Sequence, residues 1–193
     1  MSKLTSVHQV SLLTALLVCI FVLVLSLMNV ALMQQNMQIK ASADQSTRSL
    51  VLQPGTEVPP LDGMDANANR MTVRYGEDNR KTLLLVFSPT CGACKLNMPN
   101  WQAIARGLDP RAYRIVAASL APEGSQEYLE RYGLSQIPAM TELDAEDRVS
   151  YNLVLSPQLI MVDANGKTEK VWTGALNGVQ KQDVENTLNI DLP

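Results

Sequence analysis

One histidine, His8, serves the whole 193-residue sequence, and it stands ahead of the first long apolar stretch. A Ser-His-Asp triad therefore has no base beyond that point, and a structural zinc site lacks the imidazole ligands it would need beside so few thiols. Cysteines are scarce as well: Cys19, Cys91 and Cys94 are an odd number and too few for the disulfide framework of a small secreted protein. The net charge is -3, and lysines and arginines are scattered, so no basic stripe exists to neutralise a run of phosphates. Nucleic acid is not an expected partner. No acidic or basic block marks a charged tail, and no internal repeat is present. The length suits one ordinary domain plus an additional segment.

That segment is visible. Residues 10–33 form a stretch of 24 without a charge, interrupted only by Ser11, Thr14, Cys19, Ser26 and Asn29. As a helix it would span roughly 36 Å, enough to cross a hydrocarbon core with some tilt. A cleaved signal sequence has an apolar region of only about 7–15 residues, and Ala41-Ser42-Ala43, which looks like a cleavage box, sits too far beyond the run. The reading is an uncleaved transmembrane anchor at 10–33, a short cytoplasmic N-terminus at 1–9, a polar tether at 34–52 and one domain at 53–193. Lys3 on one flank faces Lys40 and Arg48 on the other, so charge bias decides orientation weakly. A single short N-terminal flank normally stays cytoplasmic, which puts the domain on the extracytoplasmic side. Cys19 reads as a small lipid-embedded hydrophobe. Pro54, Gly55, Pro59 and Pro60 punctuate the entry to the domain.

Beyond them strand-like and helix-like patterns alternate. Residues 71–75 read as a short strand, and the unbroken Leu83-Leu84-Leu85-Val86-Phe87 run within 82–87 suits a strand buried on both faces. Residues 94–106 read as a helix, 113–120 as a second buried strand and 126–132 as a short helix. Residues 159–162 and 168–172, joined through Asp163-Ala164-Asn165-Gly166, read as a hairpin with a turn-favouring Asn-Gly. Residues 180–190 close the chain as an amphipathic helix. This order predicts an α/β fold with a mixed sheet. Asp144 and Glu146 read as a solvated loop pair, and Trp101 and Trp172 as packing residues.

The chemistry concentrates in Phe87-Ser88-Pro89-Thr90-Cys91-Gly92-Ala93-Cys94-Lys95, after the buried strand and at the start of a helix. A thiol at a helix N-terminus meets the positive end of the dipole and unpaired backbone N–H groups, which stabilise its thiolate. Cys91 is the expected nucleophile. Cys94, one turn further on, is expected to be shielded yet close enough to resolve a mixed disulfide at Cys91 and leave a Cys91–Cys94 disulfide. Lys95 reads as a solvated helix-surface residue. No cofactor and no metal is expected.

With these residues in view the sequence resembles the thioredoxin superfamily, and within it the membrane-tethered TlpA/ResA-like group, over roughly residues 53–190. Gly55-Thr56-Glu57-Val58-Pro59-Pro60-Leu61 looks like the group's opening segment. The stretch from Phe87 through Cys94 to Pro99 looks like its active-site segment, and Tyr151 to Gly166 like its third signature. The resemblance implies a thioredoxin-like fold and an active-site cis-proline at Pro157, with the Ser156 backbone able to pair with an extended substrate. Pro138 is the rival proline, followed by a poorer strand sequence. The resemblance further implies a single-pass protein of the bacterial cytoplasmic membrane, its domain on the periplasmic or extracytoplasmic side. It also implies an oxidised protein there as electron acceptor and a transmembrane thiol carrier as electron donor.

There are departures. Asn97 stands where the group often has Glu, and Leu85 where thioredoxins carry a buried Asp. Thr90 and Ala93 replace the familiar Trp and Pro. Three other functions remain open at this point. A dithiol oxidase is the same chemistry reversed. A peroxiredoxin-like peroxidase wants Thr or Ser three residues, and Pro seven residues, before its cysteine; Ser88 meets the first condition and Leu84 fails the second. A copper carrier would use Cys91 and Cys94 as soft ligands, with Met98 or Met140 in support.

Overall fold

The computed structural model describes the backbone of residues 2–193 and the side chains of residues 16–40 and 50–193. The side chains of Lys3, His8 and Ala41-Ser42-Ala43 lie outside the described residues. Two compact units divide between Thr47 and Arg48.

The first unit belongs to helix α1 (Ser2–Ser49). Within α1, Leu16–Lys40 is long and apolar enough to cross a membrane, with a mean hydropathy of 2.8. The helix does not end with the apolar run but continues through most of the segment read as a polar tether. No glycine or proline occurs before Pro54, and the Gln, Met, Lys and Ala residues that fill the segment are good helix formers. The Asn36 side-chain amide also bonds back to the Leu32 carbonyl at 3.1 Å, within the helix. At the far end of the same segment, Leu52 belongs to the second unit's core, where it is 2% exposed.

The second unit runs β1 (Leu61–Met64), β2 (Arg70–Val73), β3 (Lys81–Phe87), α2 (Gly92–Gly107), β4 (Tyr113–Ser119), α3 (Ser125–Arg131), β5 (Ala139–Met140), β6 (Glu142–Leu143), α4 (Ala145–Ser150), β7 (Gln158–Val162), β8 (Thr168–Thr173) and α5 (Gly178–Leu188). Five strands form a mixed sheet in the order β5-β4-β3-β7-β8, and β2-β1-β6 form a small antiparallel sheet. β3 is central, parallel to β4 and antiparallel to β7. Its alternate residues feed two cores. Leu83, Leu85 and Phe87 pack with Trp101, Ile104, Leu129 and Val184 from α2, α3 and α5, while Leu84 and Val86 pack with Leu61, Val73 and Tyr151. Each such buried side chain contributes about 1.5–3 kcal/mol.

The expected strands and helices of the domain are found within two residues of their ends, apart from β1, β5, β6 and α4, which the pattern did not show. Two-residue strands carry no readable period, and a four-residue strand such as β1 carries little. β1 also contains Gly63, which it needs: a Cβ there would lie 2.5 Å from the Glu142 carbonyl oxygen of β6. Asp144 and Glu146 are not a loop pair. They open α4, where Asp144 is the N-cap and pairs with Arg70 at 3.1 Å. The β7–β8 turn is held by Asp163, whose Oδ1 accepts from the Asn165 and Lys167 N–H groups, both at 2.8 Å, and Gly166 supplies the positive φ of 88°.

Candidate active site

β3 ends at Phe87, and four residues later Cys91 caps α2. The turn between them is closed by the Cys91 N–H donating to the Ser88 carbonyl at 3.1 Å. Cys91 has extended backbone, φ −81° and ψ 112°, and its Sγ accepts from the Cys94 N–H at 3.1 Å. A sulfur in the N-cap position stands where the first helical N–H groups point, so charge on it is favoured. Pro99 sits inside α2 without ending it. Its ring leaves the Lys95 carbonyl without the usual helical donor.

The two thiols are free and unequal. Cys91 is half-buried at the surface, and Cys94 is fully buried. Burial pushes the Cys91 thiol up, but hydrogen bonds from the Cys94 thiol, the Ser156 side chain and the backbone N–H groups of Cys94 and Ala93 outweigh it. The net position lies below an ordinary thiol. For Cys94, burial first and the hydrogen bond with Cys91 second push the thiol up to about 12. Lys95 is exposed on the helix surface.

The Ser156–Pro157 peptide bond is cis. The Cys91 thiol lies 3.5 Å from the Ser156 carbonyl oxygen, so β3–α2 and the loop before β7 bring Cys91, Cys94, Ser156 and Pro157 together. Pro157 is buried, and its carbonyl accepts from the Gly174 N–H at 2.9 Å. Pro138 is not part of this cluster. Its carbonyl accepts from the Ala117 N–H at 2.9 Å at the opposite edge of the sheet, where Ala139-Met140 makes the short β5.

The two missing acids have structural explanations. Leu85 is fully exposed to the core and not to water, with 0% of its surface accessible. Asn97 is 2% exposed and grips the loop after β8 with both ends of its amide: Nδ2 donates to the Gly174 carbonyl at 3.0 Å, and Oδ1 accepts from the Leu176 N–H at 2.7 Å. Asn100, one turn on, donates to the Leu176 carbonyl at 3.4 Å. A carboxylate at position 97 would face the Gly174 carbonyl with no proton to donate. Sequence reasoning missed this clamp because its partners lie 77 and 79 residues away; the only local sign is the pair of amides three apart on one helix face.

Met98 and Met140 are buried in different cores, on opposite faces of the sheet. They cannot both turn to the Cys91–Cys94 pair. Among the described residues no cluster of three or more His, Cys, Asp or Glu side chains is placed to hold a metal. Two clefts of about 380 Å³, one lined by Asp65, Glu123 and Glu142 and the other by Asn67, Glu130 and Ser135, include neither cysteine.

A mixed sheet with this strand order, a Cys-x-x-Cys pair at the first helix after the central strand and a cis-proline beside it define the thioredoxin-like fold, and this chain has it. Solved structures agree. The thioredoxin domain of a thiol-disulfide oxidoreductase from Bacteroides vulgatus matches 72% of this chain and 99% of its own at 21% identity, with a TM-score of 0.56. A thiol:disulfide interchange protein from Bacteroides sp. matches 72% of this chain and 91% of its own at 21% identity and a TM-score of 0.51. A peroxiredoxin-like protein from Aquifex aeolicus matches 72% of this chain and 87% of its own at 13% identity and a TM-score of 0.57. No protein-family profile and no curated protein sequence matches the chain.

The unequal thiols are measurable. In the reduced protein, alkylation of Cys91 is expected to rise with a midpoint below that of a free cysteine, about 8.5, because a lowered value keeps the thiolate populated at lower pH. Cys94, raised by burial, should stay unmodified across the pH range in which Cys91 becomes labelled. Mass spectrometry of iodoacetamide-treated protein across pH reads both, and equal labelling of the two at neutral pH would contradict the assignment.

Proposed function

We propose that this chain is a membrane-anchored thiol-disulfide oxidoreductase that reduces protein disulfides through Cys91 and Cys94. The observation that carries the reading is the division between the two sulfurs: an accessible one held at a helix N-terminus below the ordinary thiol range, and a buried one beside it held well above. Such a pair attacks with the first thiol and resolves with the second. Cys91 bonds to one sulfur of a substrate disulfide, releasing the other as a thiolate. Cys94 then gives up its proton and attacks Cys91, releasing the second substrate sulfur. The substrate gains two electrons and two protons, and the protein keeps a Cys91–Cys94 disulfide.

The half-exposed Cys91 at the N-terminal end of α2 suits attack on a disulfide presented by a protein substrate. The Ser156-Pro157 backbone beside Cys91 is the docking edge for an extended substrate strand, consistent with the resemblance. Both neighbours named as thiol-disulfide enzymes support the reaction class. The peroxidase reading is weaker, since Leu84, where such an enzyme carries proline, is a buried mid-strand residue of β3. The apolar stretch of α1 is the anchor. In keeping with the resemblance, the domain lies on the extracytoplasmic side of a bacterial cytoplasmic membrane and receives electrons from a transmembrane thiol carrier.

Three measurements test the parts of this reading. In turnover on a model protein disulfide, Cys91→Ala should abolish activity, and Cys94→Ala should stop at a trapped mixed disulfide on Cys91; activity surviving Cys91→Ala would end the mechanism. Equilibration with glutathione should give a reducing potential, and a strongly oxidising one would make the protein an oxidase. A membrane-impermeant maleimide should label Cys91 in intact spheroplasts. Labelling only after lysis would put the domain in the cytoplasm.

A further inference from the structure

Resolution requires Cys94 to ionise in a site that opposes it, and the positions at which relatives supply an acid hold Leu85 and Asn97, both occupied by packing or by the clamp on the loop after β8. Another polar group lies in the same core. Tyr128, in the first turns of α3, shares the buried cluster of Cys94, Met98 and Trp101. Its ring stacks on Phe87, the last residue of β3, with centroids 5.7 Å apart and planes 14° from parallel, and meets Tyr132 at 5.0 Å. The stack fixes the ring against the strand end from which the Cys91 turn departs.

The hydroxyl at the tip of that ring is buried and has no hydrogen-bond partner. A buried hydroxyl left unpaired costs folding free energy, so its retention calls for a partner that exists in some other state of the protein. The titratable groups acting on it are Cys94, Tyr132 and Cys91. Burial, then charge on Cys94, push the phenol up to about 12, so at neutral pH it is a donor and not a base. The Trp101 Nε1 is also unpaired, but Trp101 lies seven residues beyond Cys94 on α2, about 10 Å along the axis.

We propose that the Tyr128 hydroxyl moves into hydrogen-bond reach of the Cys94 sulfur and donates to it as that thiol loses its proton to solvent and attacks Cys91, stabilising the thiolate without taking up its proton. The proposal rests on the dithiol-exchange reading and concerns only its second step. In that step the Cys94–Cys91 bond forms, the Cys91–substrate bond breaks, and the electron pair leaves on the substrate thiolate. The phenol keeps its proton throughout. A donor to the anionic form favours it, so Tyr128 lowers the pH at which Cys94 becomes competent.

The test uses the full chain in detergent micelles with Cys19→Ser, reduced and mixed with one equivalent of an aromatic disulfide whose thiolate is coloured. Attack by Cys91 releases one coloured thiolate and resolution by Cys94 a second, so a stopped-flow trace separates the steps. Tyr128→Phe preserves the stacked ring and removes only the hydroxyl. It should leave the first phase and its pH profile unchanged, slow the second about tenfold, and shift the pH midpoint of that second phase upward. If both phases slow together, or neither changes, Tyr128 is packing alone and the proposal is overturned. A protein with Tyr128 intact that releases only one coloured thiolate would instead sink dithiol exchange itself.

Discussion

A strand buried on both faces can be left by the chain only at its end, and here that end is the site. β3 satisfies two cores at once, and past Lys81 its residues are all buried, offering no exposed side chain on which a reactive group could stand. The first residues free of the sheet are those of the turn from Ser88 to Cys91. The helix that follows must pack back over one face, which aims its N-terminal N–H groups at the same turn. A nucleophilic sulfur at the cap therefore needs no charged neighbour. The backbone provides the stabilising field, and Cys94 is carried into the core by the same helix.

The electrostatics around the pair are made almost wholly of hydrogen bonds and burial. Cys91 and Cys94 differ because one faces the N–H groups from the rim and the other is enclosed behind it. Burial encloses Cys94 and makes its ionisation the more demanding of the two.

Much of this was legible in the sequence. The five-residue apolar run marked β3, its position directly before Cys91 marked the helix cap, and the segment around Pro157 was recognisable by likeness to a known signature. What stayed hidden was hidden for physical reasons. The strands β5 and β6 are two residues each and exist because β4 and β1 offer them partners, not because of their own pattern. The helical continuation of α1 lacks apolar periodicity and follows from propensity and the absence of breakers. Asn97 read as a missing acid, whereas its amide is occupied by backbone groups almost eighty residues away.

That amide takes part in a longer connection. Asn97 on the thiol-bearing helix holds the carbonyl of Gly174, and the N–H of Gly174 holds the carbonyl of Pro157. Helix, β8 loop and cis-proline loop are consequently laced by a single thread of amides that passes through one peptide unit on each side of Gly174. An engineer who introduced a carboxyl at position 97 to alter the surroundings of the thiols would cut the first link of that thread, changing the shape of the cis-proline loop along with the chemistry. In this protein the two properties are not separately adjustable at that position.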